Sequence, residues 1–141
     1  MAEIVYNRGK TRILAGDTAL DTSDLRMALI TGTVTGADSP DLNTVADLDA
    51  VSGVGIHTER VALSSKTVTQ DDTNDRANAD CADVEFAAAA GVTALAAVVY
   101  DEGSGTDATR HLVSYHDTNF GAGKPLDGGL TVQVADWLRG T

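Results

Sequence analysis

Cysteine is nearly absent from this chain, and the single one, Cys81, excludes any disulfide within it. Nothing therefore implies an oxidising compartment, and a lone thiol sits most simply as a small buried hydrophobe. Aromatic residues are few as well, with one Trp, three Tyr and two Phe in 141 positions. So few leave little for the exposed stacking platforms that sugar-binding modules use. No apolar run approaches the roughly 20 residues of a membrane-spanning helix. The opening MAEIVYNRGK has no apolar stretch of the signal-peptide kind, so synthesis in a cytoplasm without a membrane partner is expected. Basic residues number ten against 21 acidic ones, a net charge of −11. That field repels phosphate backbones and argues against nucleic acid as a partner.

What is present suits one globular domain, residues 1–141, with 43% apolar residues. A chain of this length buries roughly 70% of its unfolded surface. Its organising stretch is Gly91 to His116, which reads as a long β-hairpin. Leu95 to Tyr100 is the most apolar run, a loop rich in Gly, Ser, Thr and Asp follows, and Leu112, Val113 and Tyr115 return. Leu95, Ala97 and Val99 face one way, and Ala96, Val98 and Tyr100 the other. Both faces are apolar, so the strand is either central in a layered fold or meets another subunit.

The remaining segments alternate strands with turns. Ile4 to Tyr6 reads as a short strand or an arm that packs on a neighbour, within an N-terminal arm or edge strand over residues 1–12, and Lys10 to Leu14 as a second short strand. Leu25 to Ile30 alternates Leu25, Met27 and Leu29 with Arg26, Ala28 and Ile30. Ser39 and Pro40 suggest a helix start, with Leu42, Val45, Ala46 and Leu48 at helical spacing. Strands are expected over Ile56–Leu63, Lys66–Gln70 and near Val84 and Phe86, with Asp71–Ala77 as a turn. Ala87–Ala90 is ambiguous between helix and break. After the Gly-rich loop of residues 117–129, Leu130, Val132 and Val134 share a face and Trp137 follows. The expected fold is mainly β, an antiparallel β-sandwich of jelly-roll-like type with one short helix.

Chemical motifs are weak. GAGKPL (Gly121–Leu126) resembles a phosphate loop, but its glycine spacing is one instead of four, and Pro125 stands where Ser or Thr is needed. Asp71, Thr73 and Asp75 begin like a calcium loop, yet Arg76 replaces the required glycine. Asp101, Glu102 and Asp107 at the hairpin loop read as a solvated acidic loop. His111 and His116 are five apart, so on a regular strand they point to opposite faces. No nucleophile elbow occurs. Neither a catalytic residue, a metal site nor a cofactor is expected.

The stretches IVYNRGKTRILAG, DLRMALITG, KTVTQDDTNDRA, DVEF and ALAAVVYDEG resemble, in order, a family of small structural proteins of tailed bacteriophages. KTVTQDDTNDRA is the most telling, and Ile56 departs from a frequent tyrosine. The resemblance implies a non-enzymatic head decoration (cement) protein on the capsid exterior. Its partners would be the major capsid protein and further copies of itself, as a homotrimer. A tail or fibre-associated protein is the alternative, and a β-sandwich carbohydrate-binding module the more distant one. The interface residues expected are Ile4, Val5, Tyr6, Arg8, Lys10 and Arg12 in the arm, with Ala96, Val98 and Tyr100 on the second apolar face.

Overall fold

A computed structural model describes residues 3–133 and 138–140. In chain order the elements are β1 (Glu3–Val5), α1 (Asn7–Ala15), β2 (Leu25–Gly32), α2 (Val45–Asp49) and β3 (Val54–Ala62). There follow β4 (Thr67–Asp71), β5 (Arg76–Asp80), β6 (Val84–Phe86), β7 (Thr93–Ala94) and β8 (Ala96–Asp101). β9 (His111–His116), β10 (Lys124–Pro125), β11 (Leu130–Val132) and β12 (Leu138–Gly140) complete the set. The fold is mainly β, and every strand pairing is antiparallel. Val134 and Trp137 lie outside the described residues.

Five strands in the order β1-β9-β8-β2-β3 form the main sheet. Its central strands β2 and β8 are near-continuous apolar runs, as strands covered on both faces must be. Leu25, Met27, Leu29, Ala97 and Val99 pack on one side with Cys81, Val84, Phe86, Phe120 and Leu126. Ala28, Ile30, Ala96, Val98 and Tyr100 pack on the other with Ala37, Val45 and Leu48. The two faces divide as the alternation predicts. The expected sandwich is therefore one large sheet on a second β layer. Three small sheets, β12-β5-β4, β11-β6 and β10-β7, make up that layer in place of one continuous jelly-roll sheet.

Among the described residues two helices occur where one was expected, and α1 corrects the strand reading of Lys10–Leu14. Gly9 and Ile13, four apart, turn inward: Gly9 is buried against the β9 backbone and Ile13 packs on the first core. Gly16, in the left-handed conformation at φ 79°, closes the helix by donating to the Arg12 and Ile13 carbonyls. α2 starts later than Ser39–Pro40 suggests. Thr44 caps it, accepting from the Asp47 amide at 3.2 Å while Asp47 accepts from the Thr44 amide at 3.0 Å. Ala87–Ala90 forms no helix.

The hairpin β8–β9 is present, with one irregularity. Val99 pairs with Ser114 and Tyr100 with Leu112, so Val113 is an extra residue in β9. The bulge reverses the alternation: His111 stands opposite Asp101 and His116 opposite Ala97, two positions on the same face of β8. The expectation of opposite faces is thus corrected. Four residues of β8, about 13 Å, still separate the two histidines.

Candidate functional site

Glu3–Val5 forms an edge strand of the main sheet, one of the two readings of this segment, and the residues that follow pack on the chain itself. Ile4 pairs with Tyr115 and Val5 with Ser114. Tyr6 is fully buried, and its hydroxyl donates to the Ala37 carbonyl at 2.6 Å. Burial raises its pKa, with Tyr115 and Asp38 adding to the effect. Arg12 turns inward, its Nε donating to Thr18 Oγ1 at 3.1 Å and Nη2 lying 3.6 Å from Asp101 Oδ2. Arg8 and Lys10 are the members of the expected set that remain on the surface, beside Leu14, which is 87% exposed.

Ala96, Val98 and Tyr100 are each fully buried within the chain. Residues 34–48 supply the cover that a second subunit was expected to provide, through Ala37, Val45 and Leu48. The structure thus takes the first of the two readings of this strand, central in a layered fold, and these three side chains are not on the surface.

The acidic hairpin loop is not left to solvent. Arg110 Nη2 reaches Glu102 Oε1 and its Nη1 reaches Asp107 Oδ1, both at 2.7 Å. Arg26 Nε lies 3.6 Å from Glu102, and Arg60 Nη1 lies 3.8 Å from Asp107. The hydrogen bonds that Arg110 donates to Glu102 and Asp107 raise its pKa further above its ordinary value. Arg60 and Arg110 also stand 5.6 and 5.8 Å from the Tyr100 ring centre, a pair of cation–π contacts. Burial raises the Tyr100 pKa, and the two arginines oppose the shift. The cluster clamps the hairpin to β2 and β3. Among the described residues no group of three or more His, Cys, Asp or Glu is placed to hold a metal.

Ser114 and His116 make a contact that the sequence reading did not anticipate. Ser114 Oγ lies 2.8 Å from His116 Nε2, and His116 Nδ1 lies 4.0 Å from Glu3 Oε1. The order is that of a serine–histidine–carboxylate triad, but Ser114 is fully buried. No substrate carbonyl reaches its oxygen in this conformation, so the contact serves to satisfy polar groups inside the sheet. The i, i+2 spacing on a strand was the available signal, since it puts both side chains on one face.

The other motifs resolve as structure. Lys124 and Pro125 of GAGKPL lie in β10 against β7, with no helix following. Asp71 accepts hydrogen bonds from Asn74 and Arg76, which hold its pKa below the ordinary carboxylate value. Burial, then Asp80 and Asp83, push the Cys81 thiol up to about 11, which keeps it protonated and unreactive. Beyond this turn region, Thr67, Val68, Thr69 and Gln70 of β4 all present exposed side chains. Comparison with protein-family models, curated proteins and solved structures finds no match.

Proposed function

We propose that this chain is a non-enzymatic structural protein of a phage virion that decorates and stabilises the outer surface of the capsid. The ordered resemblance of its segments to that family supports the reading. The observation that carries it is the pair of exposed cations on α1. Arg12, Arg26, Arg60, Arg76 and Arg110 are all engaged with carboxylates of the chain itself. Arg8 and Lys10 are exposed on two flanks of the helix, neither is in an ion pair among the described residues, and Arg8 Nε makes only a long 3.4 Å bond to His111 Nδ1. On a molecule of net charge −11, they offer a cationic foot, with Leu14 as an apolar anchor. An acidic patch on the major capsid protein is the partner that fits.

Binding the expanded shell in preference to its precursor or its disrupted form stabilises the expanded state by linkage. Many copies, each with a modest contact, suffice for this. Particles lacking the protein are expected to assemble yet release DNA at lower temperature, and adding purified protein back restores their resistance. The variant Arg8→Glu with Lys10→Glu is expected to fold normally and fail to restore it. Full coating by that variant would remove α1 as the foot. Heads that are equally robust without the protein, together with tailless particles, would replace the decoration reading with the tail one.

A further inference from the structure

Sheet edges left open invite pairing with another chain, and proteins usually blunt them. In the main sheet β1 is only three residues long. β3 is distorted: Ala28 pairs with Arg60 and Ile30 with Ile56, so three β3 residues stand against one of β2. That bulge carries His57 and Glu59. β4 has no such protection. It makes five regular pairs with β5 and no register shift, and it ends the order β12-β5-β4. Its residues are Thr, Val, Thr, Gln and Asp, and Val68 is 48% exposed.

The sequence of this edge is complementary to itself, and we infer that β4 is a self-association edge. Two copies pair β4 with β4 antiparallel across a two-fold axis, joining two three-stranded sheets into one of six strands. With the axis at Thr69, that residue meets its own copy and Val68 stands opposite Gln70. Lys66 then stands opposite Asp72, twice by symmetry. Neither Lys66 nor Asp72 is in an ion pair among the described residues. Asp72 is exposed on the turn, where it accepts from the Gln70 amide, and Lys66 makes only a long 3.5 Å bond to the Leu63 carbonyl. Between two molecules that each carry −11, this edge offers attraction where the bulk charge repels. The inference does not depend on the proposed function.

Sedimentation of the purified chain from about 1 µM to about 1 mM is the test, a range that covers weak dimers. A monomer–dimer equilibrium is expected. Lys66→Glu places like charges opposite each other and weakens the dimer about tenfold. Adding Asp72→Lys to that variant swaps the pair and restores the affinity to within about threefold. Thr69→Lys faces its own copy across the axis and abolishes pairing; an unchanged melting curve shows that the monomer remains folded. A wild-type chain that stays monomeric at the top of the range overturns the inference. So does a dimer that survives both Thr69→Lys and Lys66→Glu.

Discussion

Ser114 and His116 lie inside the edge of the main sheet, where an unpaired hydroxyl or imidazole would cost about 1–3 kcal/mol. Their 2.8 Å contact removes that cost while the ring stays neutral. Burial lowers the His116 pKa from its ordinary 6.5, and Glu3 and Asp117 oppose the shift. His111 is lowered as well, by burial and by Arg12 and Arg8. With the folded values depressed, the unfolded chain takes up protons first as pH falls. Stability is therefore full above about pH 6.5 and declines as pH drops from there toward the folded pKa values. Thermal melts are expected to show a lower Tm at about pH 5.5 than at about pH 8. His116→Gln, which keeps a donor and acceptor but cannot titrate, is expected to shrink that difference. An unchanged difference would place the sensitivity elsewhere. The i, i+2 spacing made this pair legible, whereas the shared face of His111 and His116 was not: simple alternation assumes a regular ladder, and the extra Val113 breaks it.

At the scale of elements, legibility followed periodicity. β2 and β8 showed their two faces because a period of two needs no knowledge of the partner. α1 was hidden because Tyr6 gives no capping bond and Gly9 sits in the first turn, where it lowers helix propensity. Its geometry explains the glycine. A Cβ at position 9 would lie 2.8 Å from both the Cα and the carbonyl oxygen of Val113, backbone atoms that cannot rotate away. Gly9→Ala would gain about 1 kcal/mol of helix propensity in isolation. Lifting the helix off β9 costs about 1–3 kcal/mol by overpacking and also loosens Arg12 from Asp101. The expected net effect is destabilisation, read as a lower urea midpoint, while Lys10→Ala next to it stays within about 0.5 kcal/mol. A stabilised Gly9→Ala protein would show that α1 is not seated on the strand. The candidate surface followed the same logic. Arg8 and Lys10 were legible as cations, but whether the chain itself or a second subunit covers Ala96, Val98 and Tyr100 was left open by the sequence. Their cover comes from a segment about 50 residues upstream whose only regular element is the five-residue α2.

For the whole molecule, the sheet is the shared wall of two cores, so neither side can loosen without exposing β2 and β8. With no disulfide available, stability rests on that double packing. Local openings should then differ sharply in free energy. Amides of β2 and β8, flanked by strands on both sides and buried on both faces, are expected to exchange only through global unfolding, at about 5–15 kcal/mol. β4, with one partner strand and exposed side chains, should open several kcal/mol sooner. Hydrogen exchange at about 1 µM, below the range of a weak dimer, would resolve the two classes. Repeating it near about 1 mM adds a second reading: if β4 pairs with its copy, its outward amides gain protection while those of β8 stay unchanged. Uniform exchange across β4 and β8 at low concentration would contradict the packing argument. A β4 that stays equally fast at both concentrations would leave the layered core intact and remove the self-pairing edge.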